Sequence, residues 1–281
     1  MVAGSSYLDA EPMPALRSLA SSVWIQQVGD APLAQRSVPH GGAEVRCVLG
    51  EVPRLLGPLT TAAHLDIPAG GTVVGIRLRP GVVGGLAGMP ADELADTDVA
   101  ATDLWRDLNR LTDTLGDAPT PHAALDQLQR FVGRAAGEAD PVVDEAVRRL
   151  MPWRAGGPAV LPDLLSISER QLRRRCRATV GMGPKELQRV LRFHGFTARI
   201  QAAVDRAEPG DLAGWAVEAG YHDQAHLTRE CRRIAGVTPG EFLAQYRAAC
   251  AGADDHDHVA AYRPMLLGDG RSVQARVLRP A

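Results

Sequence analysis

The sequence predicts an α+β chain. A small N-terminal β-barrel or sandwich-like domain with following helices precedes an all-α C-terminal domain of two similar units joined by a long helix. Three observations carry this. Short apolar and β-branched runs bounded by Gly, Pro and Asp occupy the first eighty residues. Helical spacing takes over after Arg79-Pro80-Gly81. A block of twenty residues, at 168–187 and again at 223–242, then occurs twice without gaps.

The runs at 23–28, 44–49, 60–67 and 72–78 read as strands, with turns such as His40-Gly41-Gly42 and Ala69-Gly70-Gly71 between them. Apolar residues at helical spacing then predict helices over 82–86, 104–115, 123–132 and 142–150. The stretch 153–158 (WRAGGP) reads as a linker. The expected domains are therefore 1–153, β-rich with a helical extension; 154–250, helical; and 251–281, a tail.

Seven of the twenty repeated positions are identical: Leu172/Leu227, Arg174/Arg229, Cys176/Cys231, Arg177/Arg232, Gly181/Gly236, Pro184/Pro239 and Glu186/Glu241. Each copy opens on a helix N-cap. Ser168 with Gln171 forms a capping box, and Asp223 caps through its carboxylate. Leu172 and Cys176, like Leu227 and Cys231, lie four apart and share one apolar face. The opposite faces are basic. Gly181 and Gly236 end the helices, and Pro184 and Pro239 begin the next ones. Thr238 with Glu241 makes a further capping box. A shorter helix precedes each copy: Leu212, Trp215, Ala216 and Ala219 mark the second. Val160, Leu161, Leu164 and Leu165 mark the first, where Pro162 fits only in the opening turn. A short helix, a tight turn and a second helix with an exposed basic face make a helix-turn-helix.

Between the two units, 184–204 predicts a helix ~30 Å long. Leu187, Val190 and Leu191 form one apolar stripe; Phe193, Phe196, Ile200 and Val204 form another. A helix apolar on two sides packs against two partners. Here those are the two units, and recognition helices entering successive major-groove segments stand about 34 Å apart.

From about 160 to 246 the chain resembles the DNA-binding domain of AraC/XylS-family transcription regulators. The resemblance rests on S-x-R-x-L-x-R (Ser168, Arg170, Leu172, Arg174), on the G-x-x-P of both copies, and on Ala216, Gly220, Tyr221, Asp223, Leu227 and Arg229 in A-x-x-x-G-Y-x-D-x-x-x-L-x-R. Two departures stand out. Cys176 and Cys231 replace a usual Phe, and Pro162 shortens the first helix, which points to a looser first unit. The N-terminal part resembles, more weakly, the uncharacterised β-plus-helix domain found before some AraC-type DNA-binding domains, through 74–81, 91–94 and 103–105.

What the resemblance implies is a sequence-specific transcription regulator whose two recognition helices read double-stranded DNA. Base-reading positions map to Arg170, Arg173 and Arg174 in the first unit and to Gln224, Ala225, Thr228 and Arg229 in the second. Arginine pairs with guanine and Gln with adenine, while Ala or Thr touches a thymine methyl. Arg177, Arg232 and Arg233 lie later on the helices and suit phosphates, which position without specifying. Further implied partners are a small-molecule effector, a second copy of the chain, and RNA polymerase. Trp24, His40, His64, Arg77 and Trp105 are the expected lining of an effector pocket.

Composition agrees. The whole chain is near neutral, but residues 151–250 hold 15 Lys and Arg against 10 Asp and Glu, a net of +5, leaving −7 elsewhere. Such asymmetry points to a nucleic-acid-binding part. Four cysteines without C-x-x-C spacing suit a reducing cytosol and offer neither a zinc site nor a disulfide framework. There is no apolar run long enough to span a membrane and no signal pattern, so a cytoplasmic protein is expected. Neither a cofactor, a metal site nor a catalytic residue is expected. Asp254-Asp255-His256-Asp257-His258 reads as a solvated linker, and 265–267 with 272–278 as a hairpin around Gly268-Asp269-Gly270. The alternative is a ligand-binding or enzymatic N-terminal domain with a degenerate or delivery-only DNA-binding part. Cys47, the one N-terminal cysteine, lacks the Pro-Cys-His setting of alkyltransferases.

Overall fold

The computed structural model describes residues 5–105, 108–135, 137, 139–152, 154 and 157–250. The expected tail hairpin, the histidine- and aspartate-rich stretch before it, and Trp153 lie outside these residues.

Eight strands form in chain order: β1 (Ser6–Ala10), β2 (Ala20–Gln27), β3 (Leu33–Ser37), β4 (Glu44–Val48), β5 (Arg54–Leu56), β6 (Ala63–Ile67), β7 (Thr72–Leu78) and β8 (Asp98–Ala100). Six build one antiparallel sheet in the order β1-β2-β7-β4-β5-β8, while β3 and β6 pair as a separate ribbon. The sheet keeps two edges and does not close, so the domain is layered like a sandwich. Period-2 alternation sorts its side chains. Val23, Ile25, Val45, Cys47, Val74, Ile76 and Leu78 face the main core, which also holds Leu125, Leu128 and Val132 of α3 (Pro121–Ala135). Tyr7, Trp24 and Val73 face the other way, beneath Leu33, Leu65 and Ile67 of the ribbon. Trp24 sits opposite Gly75 across β2 and β7; a Cβ at Gly75 would lie 2.2 Å from the indole ring, so only glycine fits.

The second face is polar where the ribbon leaves it open. Asp9, Glu44 and Arg77 belong to the same alternation as Tyr7 and Trp24, and they are mostly buried. β1, β3, β5 and β8 do not show as apolar runs in the sequence. β5 and β8 are three residues each, and β3 (LAQRS) has no β-branched residue.

Helices follow: α1 (Val83–Ala87), α2 (Leu108–Gly116), α3, and α4 (Pro141–Leu150). Asp140 caps α4 by accepting from the Val142 and Val143 N–H groups. Sequence order places α4 with the N-terminal part. Its apolar face (Val143, Ala146, Val147, Leu150) instead shares a core with Leu161, Leu172, Cys176 and Val180 of the first helix-turn-helix.

That unit comprises α5 (Leu161–Leu164) and α6 (Glu169–Val180); the second comprises α8 (Leu212–Glu218) and α9 (Gln224–Ala235). α7 (Pro184–Asp205) joins them, and α10 (Pro239–Cys250) follows. The capping signals form as read. The Ser168–Gln171 box is complete, Asp223 accepts from the His226 N–H, and Gly181 and Gly236 adopt φ of +86° and +74°. At the start of α10, Thr238 and Glu241 bond reciprocally. α5 is only four residues long, with Pro162 in its first turn behind a 3-10 turn at Pro158–Val160.

At 22 residues α7 is ~33 Å long. Leu187, Val190 and Leu191 enter the first unit's core, whereas Phe193, Phe196, Ile200 and Ala203 enter the second's, with Trp215, Leu227 and Cys231. Truncating Leu172 or Leu227 to Ala would cost about 2–5 kcal/mol.

One N-terminal loop, residues 57–62, reaches both units. A Cβ at Gly181, just past α6, would meet the Pro58 ring at 3.0 Å and the Ala91 carbonyl oxygen at 2.9 Å. The Ala62 N–H donates to the Ile234 carbonyl near the end of α9.

Candidate nucleic-acid interface and an interdomain cavity

Each recognition helix buries one stripe and exposes another. On α6, Leu172, Cys176 and Val180 are buried, while Arg170, Arg173, Arg174 and Arg177 are exposed. These four arginines line an open groove together with Asp92, which the N-terminal domain contributes from the 3-10 turn Ala91–Glu93. Arg175 is diverted to Asp140 at 3.1 Å and holds α6 to α4. On α9, Gln224, Ala225, Arg229, Arg232 and Arg233 are exposed. Thr228 is half-buried, and its hydroxyl donates to the Gln224 carbonyl at 2.8 Å, leaving its methyl as the group free to touch a partner. Arg189 of α7 pairs with Glu230 of α9 at 2.9 Å and ties α9 to the rod. Asp223 is held below the ordinary carboxylate range by the His226 N–H and by His222.

A cavity of about 400 Å³ lies where the domains meet. Its N-terminal wall includes Tyr7, Leu33, Arg36, His40, Glu44, His64 and Arg77. Its C-terminal wall includes His194, Thr197 and Gln201 of α7 with Phe242 and Tyr246 of α10. Of the five residues expected to line a pocket, the structure brings His40, His64 and Arg77 together here. Trp24 lies behind the lining, stacked on Tyr7 with centroids 6.1 Å apart, and the Arg77 guanidinium sits 5.9 Å from its ring. Trp105 is elsewhere. It packs in the main core on the other face of the sheet, edge-on to Phe131, and donates to the Leu86 carbonyl at 2.9 Å. Its apolar bulk outweighs its one polar atom.

Arg77 organises the inner end. It donates to Asp9 at 2.7 Å, Glu44 at 3.0 Å and the Tyr7 hydroxyl at 2.8 Å. Burial raises the Asp9 carboxyl to about 6, against the opposing pull of Arg77, and lowers His40 to about 4. Burial also lowers His194 well below the usual imidazole value. The rings of His40 and His194 are 6.3 Å apart, one from each domain.

His194, Thr197 and Gln201 escaped the sequence reading, although a signal was present. They are polar and spaced i, i+3, i+7 inside a helix whose other buried positions are mostly apolar. The thiols of Cys47, Cys176 and Cys231 are buried, which pushes them up to about 12, 11 and 12. A thiol kept protonated lacks the thiolate that redox sensing or alkyl acceptance needs. Among the described residues, no helix is long and apolar enough to cross a membrane, and no group of three His, Cys, Asp or Glu could hold a metal ion.

Two capped helix-turn-helix units on one rod, each with an exposed arginine face, define a tandem helix-turn-helix domain behind an antiparallel β domain. Comparison with known proteins agrees. Residues 162–245 match the family described as a helix-turn-helix domain, and residues 9–100 match a domain of unknown function, DUF6597. Two curated relatives, named as AraC-like transcription regulators of Streptomyces lividans and Streptomyces antibioticus, are 35% and 34% identical over 114 and 112 residues. Each alignment covers 39% of this chain and 35% of the relative, so the chain spans about a third of the length of the curated relatives it matches. Crystal structures of ToxT from Vibrio cholerae, apo and bound to an unsaturated fatty acid, align at 13% and 12% identity with TM-scores of 0.45 and 0.38. The alignments cover 87% and 85% of this chain and 99% and 94% of ToxT. The C-terminal domain of this chain is a tandem helix-turn-helix domain.

Proposed function

We propose that this protein is a sequence-specific transcription regulator in which α6 and α9 enter successive major-groove segments and the interdomain cavity takes a small effector. The observation that carries the reading is the pair of capped helices with exposed arginine faces, held on one rigid helix. Arg170, Arg173, Arg174, Gln224, Ala225, Thr228 and Arg229 are the proposed base readers; Arg177, Arg232 and Arg233 are the proposed phosphate contacts. The cavity supports the effector role by its position. Its walls come from both domains, so a ligand there touches the sheet domain and the rod at once. A second copy of the chain and RNA polymerase complete the proposed partners.

The test is a binding titration of the purified protein on DNA from its own upstream region, with scrambled competitor, at two salt concentrations. Retention that survives competitor supports the reading. Affinity that is equal on both DNAs and collapses together as salt rises would refute sequence-specific binding.

A further inference from the structure

The inner end of the cavity holds two carboxylates for one guanidinium. Arg77 is bound by Asp9 and Glu44 together, with the Tyr7 hydroxyl as a third partner. Burial keeps both histidines at this end neutral near pH 7. Within the cluster of Arg77, Asp9 and Glu44 one negative charge is in excess. An anionic head group brought here would meet a guanidinium already satisfied by carboxylates, in surroundings of its own sign, and would not recover its desolvation cost.

Gln201 is an independent observation. It lines the cavity from α7, is 7% exposed, and its buried Oε1 has no hydrogen-bond partner among the described residues. Gln35 Oε1, on a ribbon residue that also lines the cavity, is in the same condition. A buried acceptor without a donor is costly, and a ligand that donates hydrogen bonds would relieve both. Leu33, Val38 and Phe242 supply apolar wall alongside. Arg36, half-buried on the ribbon wall, donates through Nη1 to the exposed Gln245 at 2.9 Å, and its buried Nε has no hydrogen-bond partner among the described residues, so the one cation outside the Arg77 cluster on this wall also faces the cavity.

We propose that the cavity binds an amphipathic small molecule whose buried head is an uncharged or cationic hydrogen-bond donor, a hydroxyl or ammonium group, directed at Glu44 and Gln201, with its apolar body against Leu33 and Phe242. This rests on the reading of the cavity as an effector site; the reading of DNA by α6 and α9 does not depend on it.

The experiment uses three probes of one chain length, octylamine, octanol and octanoate, with the full chain. Saturable shifts in thermal midpoint and in tryptophan fluorescence report binding. The amine and the alcohol should bind at least tenfold more tightly than the carboxylate. Gln201→Leu, which leaves the Arg77 cluster intact, should weaken both by fivefold or more, and Glu44→Gln should weaken the amine more than the alcohol. Octanoate binding tightest, none of the three binding, or an unchanged affinity in Gln201→Leu would each overturn the proposal. DNA titration of the same samples separates the two ideas. Specific DNA binding without probe binding sinks the ligand assignment alone, and probe binding without specific DNA binding sinks the regulator alone.

Discussion

The Ala62 N–H donates to the Ile234 carbonyl oxygen across 2.7 Å, joining the start of a ribbon strand to the last turn of α9. That carbonyl is one of the four at a helix C-terminus that lack an intrahelical partner. The N-terminal domain thus completes the end of the second recognition helix. Replacing Ala62 by Pro removes the donor and should cost about 1–3 kcal/mol. Hydrogen exchange should rise at the C-terminal amides of α9 and stay unchanged in the first turns of α6. Equal protection in both proteins would show that the bond contributes nothing.

Arg229 and Arg232 lie three apart on α9 and should separate by function. Arg229→Ala should lose ~1–3 kcal/mol on the cognate sequence and far less on scrambled DNA. Arg232→Ala should weaken both alike and make the salt dependence shallower by about one unit of slope. Fluorescence anisotropy at four salt concentrations measures both. Identical profiles for the two variants would contradict the division between base and phosphate contacts.

Asp92 shares a groove with four arginines of α6, so its carboxylate opposes any phosphate that approaches them. An exposed charge pair is worth ~0.2–1 kcal/mol. Asp92→Asn should therefore tighten DNA binding about two- to fivefold at low salt, with the gain fading as salt screens it. A loss of affinity would mean that Asp92 orders the arginines and does not compete with the DNA.

Acid should destabilise the fold through the cavity histidines. His40 is lowered from 6.5 to about 4, so the unfolded chain binds more protons between those values and stability falls as pH drops through them. Asp9, raised from 3.8 to about 6, acts oppositely over nearly the same window, because there the folded state binds the extra proton. Those two effects largely offset. His194, also held neutral by burial, then decides the sign. The urea midpoint should fall between pH 7 and pH 4.5, and His194→Gln should flatten that fall. A midpoint independent of pH in the unmodified chain would rule this account out.

The C-terminal half was legible because its signals are local. Ser168, Gln171, Gly181, Asp223 and Gly236 each mark a helix boundary by their own chemistry, and the repeat tests each mark twice. The cavity was legible only in part. His40, His64 and Arg77 could be suspected as polar residues in a β domain, but their partners on α7 stand more than a hundred residues away. Only the tertiary fold brings them together. Trp105 misled because an indole serves core and pocket equally well. The placement of α4 misled because its partners come later in the chain. Its apolar face shows that it packs, without showing against what.

Because α7 enters both cores, its residue count acts as a gear setting. Each residue inserted between Leu191 and Phe193 would turn the second helix-turn-helix by ~100° and advance it by ~1.5 Å relative to the first. One extra residue would therefore swing Arg229 by that angle relative to Arg174, while also pulling Ile234 out of reach of Ala62. Steps close to whole turns, three or four residues at a time, would nearly restore the bearing. The separation of α6 and α9 can thus drift only in increments of about one turn, and the loop at 57–62 would have to lengthen in step.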